Sequence, residues 1–231
     1  YAQPTGIHYG PNRTADAHQA ADWLDFQWCQ TGHAGHHLPD RVRWLWDRTP
    51  AKACGNGEPT YESPDRAAGP WQAHEAWSNL CAGGTMGVVY GAMSLWQWRH
   101  HADEPGWPDQ FTAPDHGWRG AIDFPGSVHF GAVGKVLRRY DTAGLAPDWT
   151  ITWGRPGLLD PGRLAVVYLH DGGGDQILSA DVPRSYTVYR TADGEIVTTD
   201  QLNDHPADPP YPKFKTPADP HVIVFGKPRG D

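Results

Sequence analysis

The feature that most constrains this 231-residue chain is a change of hydrophobic period near Gly154–Gly157. Upstream, over 1–153, short apolar runs alternate with segments whose apolar residues recur at helical spacing, whereas residues 158–226 alternate apolar and polar. Short continuous apolar runs joined through helices are the pattern of parallel strands covered on both faces. Strict alternation is the pattern of half-buried antiparallel strands. The chain therefore reads as an α/β unit over 1–153, followed by a small antiparallel β-sandwich over 158–231.

Within the first part, Thr5–Tyr9, Leu24–Gln30, Ala51–Gly55 and Gly87–Tyr90 are the predicted strands. Thr14 is a candidate cap for a short helix through Ala21. Pro39 and Asp40 open a helix in which Val42, Leu45 and Trp46 share a face, and Pro50 stops it. From Arg66, the spacing of Ala67, Trp71, Trp77, Leu80 and Cys81 predicts a helix ended by Gly83-Gly84. Ser127 is the candidate cap of a last helix with Phe130, Val133, Leu137 and Tyr140 on one face. In the second part, Arg163–His170, Tyr186–Arg190, Glu195–Thr198 and His221–Phe225 read as strands, with Asp193-Gly194 as a hairpin turn. The proline-rich stretch Asn203–Pro220 reads as a surface excursion.

Charge and aromatic content narrow the function. Lys and Arg total 19 against 27 Asp and Glu, a net charge of −8 with no basic run, which disfavours a nucleic-acid partner. The longest weakly polar run, Thr85–Trp96, has about twelve residues where a membrane-spanning helix needs about twenty, so no membrane span is expected. All 12 Trp fall between Trp23 and Trp153. Indole faces pack against sugar C–H groups, so such a stretch suits a carbohydrate pocket, and a Trp-rich core is the competing reading. The three cysteines, Cys29, Cys54 and Cys81, have no close pair and read as buried free thiols. His33, His36 and His37 are close in sequence, but no further ligands accompany them, so neither a metal nor a cofactor is expected.

Glu58 is the leading candidate for chemistry. It follows a short strand and a Gly-Asn-Gly turn, and a carboxylate at the C-terminal end of a parallel strand points into the mouth where α/β enzymes act. Glu62 follows four residues on, with Tyr61 between. Paired carboxylates are what glycoside hydrolysis requires, although Gly-Glu-Pro is also a common surface turn. His8, Gln30, His33, Tyr61, Tyr90 and Trp96 lie at or just beyond predicted strand ends and are candidates for substrate contact.

The ordered runs Trp23-Leu24-Asp25-Phe26, Gln30-Thr31-Gly32-His33, Gly57-Glu58-Pro59-Thr60-Tyr61-Glu62, Ala82-Gly83-Gly84, Tyr90-Gly91, Trp96-Gln97 and Asp123-Phe124-Pro125-Gly126 resemble the apiosidase-like glycoside hydrolases. The resemblance implies a (β/α)8 TIM barrel followed by a β-sandwich sometimes labelled collagen-binding. By the resemblance Thr5–Tyr9, Leu24–Gln30, Ala51–Glu58 and Gly87–Tyr90 would be barrel strands 5 to 8. Glu58 would then be the catalytic nucleophile of a retaining enzyme acting on poly- or oligosaccharide, and Glu62 a neighbour that binds substrate or tunes Glu58. It also implies an extracellular or periplasmic location. The general acid is expected on strand 4, upstream of Tyr1, so the expected partners are a carbohydrate substrate and an N-terminal half-barrel segment, a partner chain, or a second copy by self-association. A non-catalytic carbohydrate-binding or cell-surface adhesion protein is the alternative function.

Overall fold

The structure is a computed structural model that describes residues 3–11, 16–32, 39–65, 67–95, 101, 103, 116–152, 155–171, 174–178, 181–205 and 211–230. The chain divides into two compact units, Tyr1–Asn79 with Gly84–Phe130 and Leu80–Gly83 with Gly131–Asp231. The architecture is mixed α/β. Among the described residues no helix is long and apolar enough to cross a membrane.

The first unit is organised by β1 (Gly6–His8), β2 (Phe26–Gln30) and β3 (Ala53–Glu58), hydrogen-bonded in sequence order and all parallel. Parallel neighbours require crossovers, and α1 (Pro39–Trp46) supplies the one between β2 and β3, burying Val42 and Leu45. The face of β2 that carries Gln27 and Cys29 is buried, whereas Phe26 and Trp28 on the other face remain half-buried. A register shift between Cys29 and Gln30 sets Gln30 opposite Glu58 at the strand ends. The fourth expected strand, Gly87–Tyr90, is reduced to isolated parallel bridges, Asn56 to Val88 and Glu62 to Ala92. Glycines at 87 and 91 interrupt this segment, and Gly87 has φ of +94°, which an extended strand does not tolerate.

Two further expectations are corrected. Over the described part of the helix predicted through Ala21, the backbone forms turns, with Gln19 and Ala21 N–H donating to the carbonyls of Asp16 and His18 at 3.0 Å. The helix predicted from Arg66 begins at Pro70, giving α2 (Pro70–Cys81), because Ser63 and Ala67 bond reciprocally in the preceding loop. After α3 (Trp118–Ala121) comes α4 (Gly126–Leu137). Ser127 lies inside α4 and donates its hydroxyl back to the Phe124 carbonyl at 3.1 Å. The group that satisfies the leading N–H of α4 is the carboxylate of Glu62, which accepts from Gly126 at 2.7 Å.

The second unit contains a six-stranded antiparallel sheet of β4 (Ala146–Thr152), β5 (Arg155–Asp160), β6 (Leu164–Leu169), β8 (Ser185–Arg190), β9 (Ile196–Gln201) and β12 (His221–Phe225), in the order β4-β5-β6-β12-β8-β9. A three-stranded sheet joins β10 (Asn203–His205), β11 (Tyr211–Thr216) and β7 (Gly174–Ile177). The stretch read as an excursion thus contributes β10 and β11. Pro212 is accommodated there with its carbonyl accepting from Leu178 N–H at 3.2 Å. Phe214 of β11 packs with Tyr186 and Phe225 of the larger sheet, in a cluster that includes Ile151, Val167, Val188 and Ile223. The hairpin predicted at Asp193-Gly194 forms between β8 and β9, with Arg190 clasping Asp193 at 2.6 Å.

Candidate active site

The end of β3 and the loop that follows build one side of a cavity of ≈ 380 Å³ lined by Glu58, Pro59, Tyr61, Tyr90, Gly91 and Leu95, among others. Glu58 is the last residue of β3, and its side chain is 15% exposed. Both carboxylate oxygens have partners. The Tyr61 hydroxyl donates to Oε1 at 3.0 Å, and Nε2 of His8, at the end of β1, stands 3.0 Å from Oε2. Charge-assisted contacts of this kind hold a carboxylate in one orientation. The Tyr61 phenol is pushed above its ordinary value by burial first and then by the Glu58 charge and hydrogen bond, so it stays a donor through the neutral range.

The backbone around Glu58 is held equally firmly. Its N–H donates to Asn56 Oδ1 at 3.2 Å, and its carbonyl accepts from Thr31 N–H at 3.1 Å. Asn56 in turn donates to the Thr31 hydroxyl at 2.6 Å. The indole of Trp28 lies across Gly57, where a Cβ would meet the ring at 1.8 Å, so this strand end admits only glycine. Two residues on, α2 grips Thr60 by every polar group it has. Glu75 accepts from Thr60 N–H and from its hydroxyl, both at 3.0 Å, and Gln72 donates to its carbonyl at 3.1 Å. Glu75 and Gln72 are buried. Neither follows from the sequence pattern, although Gln72 and Glu75, three residues apart, share one face of the predicted helix.

Glu62 faces a different way from Glu58. It is fully buried and does not line the cavity. Its Oε1 accepts from Gly69 N–H at 3.1 Å and Gly126 N–H at 2.7 Å, and its Oε2 accepts from the Tyr90 hydroxyl at 2.5 Å. A carboxylate among N–H groups at helix starts is favoured by their partial positive charge. A Cβ at Gly126 would come within 2.3 Å of Glu62, so this junction also requires glycine. Through Tyr90, Glu62 still reaches the cavity, because Tyr90 lines it and is backed by Phe130 with ring centroids 5.7 Å apart.

The sequence candidates therefore separate. His8, Glu58 and Tyr61 form one hydrogen-bonded group, and Tyr90 shares the cavity with Glu58 and Tyr61. Gln30 is buried beside Glu58 in register. His33 and Trp96 lie outside the described residues, as do His36 and His37. Among the described residues, no three or more His, Cys, Asp or Glu converge in an arrangement able to hold a metal ion. All three cysteines are buried thiols outside any disulfide, and burial pushes Cys29 up to about 12 and Cys54 to about 11.

Residues 1–143 match the family described as "Apiosidase-like, catalytic domain". No curated protein sequence matches the chain. A solved structure described as "Glycoside hydrolase" superposes with a TM-score of 0.74 at 19% identity, over 99% of this chain and 58% of its own length. A glycoside hydrolase of family 5 from Bacteroides vulgatus ATCC 8482 superposes with a TM-score of 0.74 at 18% identity, over 97% of this chain and 55% of its own. The likeness to these two structures is one of fold, and the chain spans little more than half the length of either.

Proposed function

Because the chain belongs to the apiosidase-like catalytic-domain family, we propose that it acts in retaining glycoside hydrolysis, with Glu58 as the nucleophile toward a poly- or oligosaccharide. The observation that carries this reading is Glu58 itself: a carboxylate at the C-terminal end of a parallel strand, opening onto a cavity and oriented through both oxygens. In the first step a Glu58 oxygen forms a bond to the anomeric carbon as the glycosidic C–O bond breaks, and the leaving oxygen takes a proton from a second carboxylic acid. Water then releases the sugar and restores Glu58. Tyr61 and His8 hold the nucleophile, Tyr90 and Gln30 line its surroundings, and Glu62 acts at one remove by seating Tyr90.

On this reading β1, β2, β3 and the bridged strip at Val88 are strands 5 to 8 of a (β/α)8 barrel, and the second unit is a β-sandwich. The matched structures extend well past the span of this chain, which is consistent with four further βα units carrying the acid. Their barrel partner is an N-terminal segment or a second chain. The half-buried aromatic face of Phe26 and Trp28, with ring centroids 5.6 Å apart, is the side such strands would cover.

The test is turnover of an activated aryl glycoside by the completed barrel carrying Glu58→Gln or Glu62→Gln, with circular dichroism as the control for folding. The near-isosteric Glu58→Gln should lose several orders of magnitude in kcat, and Glu62→Gln should change kcat or KM modestly. Near-normal turnover by Glu58→Gln would refute the assignment, and severe loss confined to Glu62→Gln would transfer the nucleophile to that residue.

A further inference from the structure

We propose that the second unit carries a binding groove for an acidic glycan, a sugar chain bearing carboxylate or sulfate groups, along the segment Gly226–Arg229. Two adjoining hollows of ≈ 660 and ≈ 510 Å³ share Ser185, Gly226, Lys227 and Pro228 and so make one trough. Each lies within the range of sites that enclose a small ligand, and together they offer room for more than one sugar ring.

The charge of this trough runs against that of the chain. The whole chain is −8, yet Arg163, Arg184, Lys227 and Arg229 line the larger hollow against one carboxylate, Asp141. The arginines are held in place by neighbouring carboxylates and carbonyls. Arg184 donates to Asp204 at 2.7 Å and to the Leu202 carbonyl at 2.8 Å. Arg163 pairs with Asp160 and donates to the Asp141 carbonyl at 2.8 Å. Asp141 stands 3.5 Å from Arg163 and 3.4 Å from Arg229, so one carboxylate serves two guanidinium groups. Lys227 is exposed, and no ion pair among the described residues joins it to a carboxylate. An arriving anion would meet Lys227 and the guanidinium of Arg229, of which Nη2 alone is paired among the described residues, groups suited to carboxylate and sulfate oxygens.

The rest of the lining favours a sugar over a bare anion. Ser185 and Gln201 offer hydroxyl and amide partners beside the cations, and Thr187 and Thr199, whose hydroxyls bond each other at 3.3 Å, border the smaller hollow. Ile196, 51% exposed, and Pro228 provide apolar surface for sugar C–H groups. All the lining belongs to the second unit, so this inference stands or falls separately from the chemistry of Glu58.

Isothermal titration of the intact chain tests it with four probes of matched length: an oligogalacturonate, a sulfated carrageenan oligosaccharide, a neutral β-1,4-linked oligosaccharide and poly-glutamate. At least one acidic glycan should bind roughly tenfold or more tightly than the neutral sugar and poly-glutamate, with an affinity that falls as salt is added. Which of the two acidic glycans binds tells carboxylate from sulfate recognition. Lys227→Glu should weaken that binding by about tenfold, and Lys227→Arg should keep it, with unchanged thermal melts for both. Absence of binding by both acidic glycans, equal affinity for the neutral sugar or for poly-glutamate, or wild-type affinity in Lys227→Glu would each overturn the proposal.

Discussion

Glu58 and Glu62 are four residues apart and chemically identical, yet one opens onto a cavity and the other closes a junction. What separates them is the number of donors each must satisfy from within the fold. Glu62 accepts two backbone N–H groups and a phenol, so Glu62→Ala would strand buried donors and should lower unfolding free energy by about 2–5 kcal/mol, read as a shift in urea midpoint. Gly126→Ala should lose about 1–3 kcal/mol at the same junction, because its Cβ would press on Glu62 at 2.3 Å. If both variants unfold at the wild-type midpoint, the junction is not structural. The tyrosines add a pH dependence. Tyr61, Tyr90, Tyr140 and Tyr168 are all raised above 10.0, with burial the largest cause in each. A folded-state value above the unfolded one means that the native state holds its proton longer, so this contribution is complete below pH ~10 and is lost as pH rises further. Tm should therefore fall from pH ~10 upward together with the rise of phenolate absorbance, and a flat Tm through that rise would contradict it.

At the scale of elements, the helices at 39–46 and 70–81 and the β8–β9 hairpin were legible because their signals are local: Pro39 and Asp40 at a helix start, apolar residues at helical spacing, Asp193-Gly194 at a turn. The strands β6 and β12 show where local pattern misleads. Their sequences suggested alternation, and every residue of both is buried, because these two central strands are covered on both faces of the sheet. Ile223→Ala, in the cluster with Val167, Val188 and Phe225, should cost about 2–5 kcal/mol. Val197→Ser on the fully exposed edge strand β9 should change stability by less than about 0.5 kcal/mol. Denaturant midpoints of the two variants measure the contrast, and similar losses would show that β9 is covered in solution.

For the whole molecule, the proposed completion of the barrel has a direct consequence in solution. Trp23, Met86 and Val89 are exposed, and Phe26 and Trp28 are half-buried beside an edge strand whose register ends at His8. Apolar surface of this kind next to unpaired strand edges favours association. At micromolar concentration the chain should sediment as an oligomer, or as a complex once a complementary half-barrel segment is supplied. A cooperative monomer that ignores such a segment would count against completion.

By itself, the sequence determined the parallel order of the first three strands, the position of Glu58 at the end of the third and the family to which the chain belongs, since each follows from residues close together or from motifs in a fixed order. Only the tertiary structure decided which way Glu62 turns, why α4 starts at Gly126, how Glu75 and Gln72 seize Thr60, and why the segment after Gly87 is bridges rather than a strand. These outcomes depend on partners far along the chain, as with Glu62 and Gly126, which stand 64 positions apart. A buried carboxylate takes whichever orientation satisfies its oxygens, and the donors that satisfy it exist as a set only once the helices have been brought together.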